Sequence, residues 1–125
     1  MKKPFQITAI LLITLLFTAC RTSPIYNVQE SKIEGQKSAD NVYKIIKEAG
    51  KSLGWKITQT QPGIAEGKLH LRTHLAVIKI TYTNRAYNID YVSSSNLDYD
   101  PESKEIHSNY NGWVQNLEKA IDIRL

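Results

Sequence analysis

Ala76-Val77-Ile78-Lys79-Ile80-Thr81-Tyr82-Thr83-Asn84-Arg85-Ala86-Tyr87-Asn88-Ile89-Asp90-Tyr91-Val92-Ser93 alternates apolar and polar residues on both sides of Asn84-Arg85, and that alternation decides the fold. In the first arm the even positions Ala76, Ile78, Ile80 and Tyr82 are apolar; in the second the odd positions Tyr87, Ile89 and Tyr91 are. Successive side chains on a strand point to opposite faces. A two-residue turn at Asn84-Arg85 therefore sets Tyr82 opposite Tyr87, Ile80 opposite Ile89 and Ile78 opposite Tyr91. The same register puts Lys79 opposite Asp90 on the other face, so both faces are satisfied together and a one-residue slip would destroy both. Asn-Arg lacks the glycine that a type I′ turn favours, which leaves a longer loop open.

Working upstream, Ala65, Gly67, Leu69 and Leu71 alternate with Ile64, Glu66, Lys68, His70 and Arg72. A second tight turn at Thr73-His74 is expected to pair Leu71 with Ala76, Leu69 with Ile78 and Lys68 with Lys79. Before it, Trp55-Lys56-Ile57-Thr58-Gln59-Thr60 reads as a strand closed by the turn signal Gln61-Pro62-Gly63. The result is a meander of three or four antiparallel strands, apolar on one side and polar on the other.

Two helical stripes flank it. Val42, Ile45, Ile46, Ala49 and Leu53 recur at three- and four-residue steps after Ser38, a capping residue, and before Gly54, which suits a left-handed position past a helix end. Beyond the loop Leu97-Asp98-Tyr99-Asp100-Pro101, Ile106, Tyr110, Trp113, Val114, Leu117 and Ile121 trace a second stripe, placing a helix over His107 to Ile123. Gly112 weakens that helix, implying close packing there or a start as late as Asn111. Trp113 is expected to be mostly buried against Ile78, Ile80, Ile89 and Tyr91. The expected class is α+β, a two-layer domain whose three- or four-stranded antiparallel meander is flanked in sequence by two helices packed on one sheet face.

The N-terminus is of another kind. Lys2 and Lys3 precede an apolar run from Ile7 to Leu16, and Phe17-Thr18-Ala19 leads to Cys20, the only cysteine of the 125 residues. A lone thiol makes no internal disulfide, and the run falls short of the roughly 20 apolar residues of a membrane span. Residues 1–19 thus read as a signal peptide. Residues 20–37 read as a lipidated N-terminus and tether, although Ile25, Tyr26, Val28 and Ile33 are more apolar than a free linker needs. Residues 38–125 read as a single α+β domain. The formal net charge is +4, but Lys2 and Lys3 leave with the leader, so the mature chain is nearly neutral and its composition gives no reason to expect nucleic acid.

Phe17-Thr18-Ala19-Cys20 resembles the lipobox of bacterial lipoproteins at its last three positions and departs at the first, where leucine is usual. Gly54-Trp55, Pro62-Gly63 and the string through Tyr110-Asn111-Gly112-Trp113 are similar to a group of short, functionally uncharacterised lipoproteins of Gram-negative bacteria. The resemblance implies cleavage before Cys20, a diacylglycerol thioether on its sulfur and acylation (palmitate) of the new amine. Arg21 in place of aspartate implies the periplasmic face of the outer membrane, with the inner membrane the lesser alternative.

Nothing reactive stands out between the motifs. His70, His74 and His107 lack zinc spacing and read as surface or capping histidines; Ser93-Ser94-Ser95 lacks a nucleophile elbow; Asp98, Asp100, Glu102 and Glu105 lack calcium-loop grammar. The chain is expected to be non-enzymatic, with no cofactor and no metal. Its partners are expected to be the membrane, through lipid on Cys20, and an envelope protein or polymer, which makes it a non-catalytic interaction module. Among the seven tyrosines, Tyr26, Tyr43 and Tyr99 fall outside the core pattern and are candidates for a partner surface. The alternative function is binding of a small anionic ligand on the polar sheet face by Lys68, His70, Arg72 and Lys79, because Lys68 facing Lys79 is unfavourable unless something neutralises it.

Overall fold

The structure, a computed structural model, describes residues 21–125; Cys20 and the leader lie outside the described residues. The elements are β1 (Thr22–Pro24), β2 (Val28–Lys32), α1 (Ala39–Ser52), β3 (Lys56–Gln61), β4 (Ile64–Leu71), β5 (His74–Tyr82), β6 (Ala86–Ser95), β7 (Glu105–His107) and α2 (Ser108–Asp122). A five-stranded antiparallel sheet runs β2-β6-β5-β4-β3, and β1 pairs with β7 in a separate two-stranded ribbon. The α+β class and the four-strand meander from β3 to β6 are as the alternation requires.

The β5–β6 hairpin has the expected register: Tyr82 opposes Tyr87, Ile80 opposes Ile89, Ile78 opposes Tyr91 and Lys79 opposes Asp90. Asn84 and Arg85 both keep negative φ, so the connection is not type I′. Thr83 replaces the missing glycine chemically. Its hydroxyl accepts from the Arg85 and Ala86 amides at 3.0 and 3.2 Å, while its own amide donates to the Ala86 carbonyl at 2.9 Å.

The β4–β5 register differs from expectation by two residues. Leu71 opposes His74, Leu69 opposes Ala76 and Gly67 opposes Ile78. The turn is Arg72-Thr73, with Arg72 at φ 58°. A shift of two leaves every side chain on its expected face, so face patterning is blind to it. Lys68 consequently opposes Val77, and Lys79 lies between Glu66 and Asp90 on its two neighbouring strands. That arrangement matches unlike charges, which the Lys68–Lys79 pairing would not have done.

Both helices lay their apolar stripes on the same sheet face. Val42, Ile46 and Ala49 of α1 and Tyr110, Val114, Leu117 and Ile121 of α2 join Ile57, Ala65, Leu69, Ile78, Ile80 and Ile89 in one core. Ser38 caps α1, its Oγ accepting from the Asn41 amide at 3.1 Å. At the other end Gly54 (φ 89°) closes a Schellman motif: the Trp55 amide donates to Gly50 O at 2.9 Å and the Gly54 amide to Lys51 O at 3.2 Å. Helix α2 begins at Ser108, after His107, whose Nδ1 accepts from the Asn109 amide. Tyr87 donates to Asp122 Oδ1 at 2.6 Å and so ties the end of α2 to the sheet.

Three details correct the expected second helix. Ile106 is buried on β7, not on α2. Gly112 sits inside α2 with nothing within 4 Å of where a Cβ would stand, so neither close packing nor a late start accounts for it. Trp113 is only partly buried, its ring 6.2 Å from that of His74 rather than sunk against the central strands.

The expected tether is also corrected: residues 22–32 supply two strands and so belong to the folded domain that was expected to start at 38. Strand β1 pairs Thr22 with His107 and Ser23 with Ile106. Asn111 on α2 clamps it, accepting from the Tyr26 amide at 2.9 Å and donating to Pro24 O at 2.8 Å and Ser23 Oγ at 3.1 Å. Strand β2 extends the sheet beside β6, bulged at Glu30 (φ 51°), whose amide donates to Asn88 Oδ1 at 2.7 Å. Val28 and Ile33 are buried, which explains the apolar residues of this segment.

Candidate functional site

The four expected anion ligands do not converge. Lys68 reaches Glu66 Oε1 at 3.6 Å and opposes Lys56 on the edge strand; His70 is exposed opposite Leu75; Arg72 projects from the turn; Lys79 is bracketed by Glu66 and Asp90. The sheet's outer face thus interleaves acids with bases, and Lys68–Glu66 is its one close ion pair among the described residues. One like-charge pairing remains, Lys56 with Lys68, and the Glu66 carboxylate beside Lys68 offsets it.

A better-formed site lies where β6 loses its regular pairing. Between Val77–Ser93 and Ile78–Tyr91 the register shifts, and the extra residue, Val92, is half exposed. A bulge of this kind re-aims the side chains around it. Here it opens a cleft of about 620 Å³ bounded by three chain segments: the β1–β2 link, the bulge, and the loop before β7. The Ile25 amide donates to Lys104 O at 3.0 Å and Asn27 Oδ1 accepts from the Tyr91 amide at 3.1 Å, tying the three walls together.

Aromatic rings and hydroxyls furnish the cleft. Tyr91 and Tyr99 lie with ring centroids 4.5 Å apart, and Tyr110 meets Tyr91 edge-on at 5.6 Å from below. The Tyr91 hydroxyl is 2.8 Å from Ser94 Oγ, and Ser93, Ser103 and Lys104 add further polar groups. The loop forming one wall holds Asn96, Asp98 and Lys104 at φ between 53° and 59°, a left-handed conformation that non-glycine residues adopt at some cost. Asp100 braces the same loop: its Oδ1 accepts from the Glu102 amide at 2.9 Å, and that bond holds its carboxyl below the usual aspartate range. Burial pushes the Tyr91 hydroxyl's pKa up despite the Ser94 bond, and burial raises that of Tyr110 further. Both therefore remain protonated at neutral pH. The Tyr110 hydroxyl is buried and has no hydrogen-bond partner among the described residues.

The cleft can offer ring faces, hydroxyl donors and acceptors, and one ammonium group. It holds no histidine, cysteine or paired carboxylates for acid–base or nucleophilic work, and among the described residues no group of three or more His, Cys, Asp or Glu converges. Two of the three histidines have structural partners: His74 Nδ1 bonds Asn96 O at 2.7 Å and His107 caps α2, while His70 is exposed. A larger open hollow of about 860 Å³ sits at the opposite end of the sheet, walled by the loop from Lys32 to Ser38 and by Asn84 and Arg85, and no aromatic ring lines it.

Of the cleft's residues, sequence reading named Tyr99 as a surface aromatic, Ser93 and Ser94 within a polar run, Tyr91 as a core-face residue and Ile25 as more apolar than a free linker needs. Tyr43, the second surface candidate, instead stacks on Tyr82 at 5.9 Å and accepts from the Gln59 amide; Tyr26, the third, donates to Glu118. The signal that could have located the cleft is the run Tyr91-Val92-Ser93, where strict alternation fails. Comparison of the chain with protein-family models, with curated proteins and with solved structures finds no match.

Proposed function

We propose that the protein is a lipoprotein anchored through Cys20 on the periplasmic face of the outer membrane, where it serves as a non-catalytic interaction module for an envelope protein or polymer. The leader ending in Phe17-Thr18-Ala19-Cys20 supports the anchor, as does its likeness to short Gram-negative lipoproteins. Among the described residues no helix is long and apolar enough to cross a membrane. The observation that carries the interaction reading is the Tyr91–Tyr99 cleft: two closely packed, tilted rings beside a hydroxyl rim, open to solvent and without a reactive set. Rigid aromatics present large contact area at low entropic cost, which favours recognition of an extended segment laid along the cleft.

The alternative, a small-anion site on the polar sheet face at Lys68, His70, Arg72 and Lys79, competes with Glu66 and Asp90, which already place negative charge beside Lys68 and Lys79.

Two variants test the proposal. Cys20→Ser removes the thiol needed for the thioether, so intact mass should show loss of the diacylglycerol and detergent partitioning should shift to the aqueous phase. Tyr99→Ala strips one ring from the cleft and should leave anchoring untouched while abolishing a partner captured by in-cell crosslinking at Val92. An unchanged crosslinking pattern in Tyr99→Ala would refute the cleft as the contact site.

A further inference from the structure

We infer that the end of the domain carrying Leu53, Leu71, Arg72 and Trp113 rests on the lipid headgroups, so that the protein is held in one orientation. This rests on the lipid-anchor reading above. The chain of contacts that assembles this end is short. Leu71 opposes His74, and His74 lies 6.2 Å from Trp113 and bonds Asn96. Leu97, the next residue, accepts from the His107 amide, and the Ser108 amide donates to Arg21 O at 2.9 Å. On the far side, Gly54 adjoins Leu69, which brings Leu53 to the same end.

Arg21 is the residue after Cys20, and it is already bonded to the start of α2. One peptide unit spans about 3.8 Å between α-carbons, and a headgroup layer is roughly 5–7 Å deep. An acylated Cys20 therefore cannot hold the domain away from the bilayer, and the surface around Arg21 has to meet it. The composition of that surface fits. Leu53 and Leu71 are 39% and 45% exposed, two of the four large apolar side chains so exposed among the described residues. Trp113 is partly exposed beside them, and tryptophan favours the membrane interface. Arg21, Lys51 and Arg72 are exposed and cationic, which suits anionic phospholipid; the acids nearest to them along the chain are Glu30, Glu48 and Glu66 respectively. Acyl chains and a cationic apolar patch are two independent membrane signals, and together they fix orientation where the acyl chains alone fix only location.

The test uses the full lipidated protein in vesicles of phosphatidylethanolamine and phosphatidylglycerol, with and without brominated acyl chains. Trp55 is buried and serves as an internal reference. Brominated lipid should quench part of the emission, Trp113→Phe should remove that quenchable part, and Leu71→Asp combined with Arg72→Glu should diminish it while leaving the circular dichroism spectrum unchanged. A chain found by intact mass to carry no lipid overturns the anchor and this inference together. A lipidated chain whose Trp113 is untouched by brominated lipid overturns the orientation alone, as does one whose Trp113 is shielded by a second copy or by a protein.

Discussion

Two glycine-to-alanine changes should move stability in opposite directions, and the structure supplies the reason for each sign. At Gly67 on β4, an added Cβ would stand 2.8 Å from Ile78 Cγ1, 3.0 Å from its Cδ1 and 3.1 Å from Ile57 Cδ1. Ile78 is fully buried and Ile57 is 5% exposed, so neither has space to retreat. Forcing a methyl into a packed core costs about 1–3 kcal/mol. The reduced freedom of the unfolded chain returns about 0.4–1 kcal/mol, so Gly67→Ala should lose roughly 1–2 kcal/mol net. At Gly112 on α2 the same methyl meets nothing within 4 Å. There only the helix propensity and the unfolded-chain terms remain, and Gly112→Ala should gain about 0.5–1 kcal/mol. For a domain of this size each kcal/mol moves the midpoint by about 4–8 °C. Urea unfolding followed by tryptophan fluorescence, with thermal melts by circular dichroism, would read both. A Gly67→Ala protein as stable as wild type would refute the packing argument, and a destabilised Gly112→Ala would refute a regular helix through residue 112.

Ile80→Asp, which places a charge at a fully buried position, should prevent folding or cost several kcal/mol, whereas Thr81→Asp on the outer face should cost under about 1 kcal/mol; equal damage in a chemical denaturation series would contradict the β5–β6 register. Stability should also fall in alkali. The Glu118 carboxylate that accepts from the Tyr26 hydroxyl, aided by burial, pushes its pKa up to about 12 from 10.0, and burial drives those of Tyr87 and Tyr110 up as well. A folded-state pKa above the unfolded one means that the unfolded chain releases its protons first. The stabilisation is therefore whole below about pH 10 and drains away as pH rises toward 12 and beyond. An unfolding midpoint that stays flat from about pH 9 to pH 12 would show that these hydroxyls are not held as described.

The β5–β6 hairpin was legible because each face carried its own constraint: apolar pairs inward, Lys79 against Asp90 outward. The caps were legible for a related reason. Ser38, Gly54 and His107 act on backbone groups within a few residues, and short-range chemistry is written in short-range sequence. The β4–β5 register was not, since a two-residue shift keeps every side chain on its face. The turn conformation at Arg72 and the placing of Lys79 between Glu66 and Asp90 belong to the folded arrangement.

What the sequence by itself determined is the class of the domain, its antiparallel meander of three or four strands and the faces its two helices bury, because hydrophobic periodicity must match the period of the element that buries it. Only the tertiary structure decided that Thr22–Pro24 and Val28–Lys32 are strands, since their pairing partners lie 54 to 85 positions away and an edge strand bulged at Glu30 shows no sustained alternation. The candidate site follows the same rule. Residues 24–27, 91–94 and 99–104 become one cleft through long-range pairing, a bulge and three left-handed loop residues, of which only the bulge leaves a local trace, the broken alternation at Tyr91-Val92-Ser93.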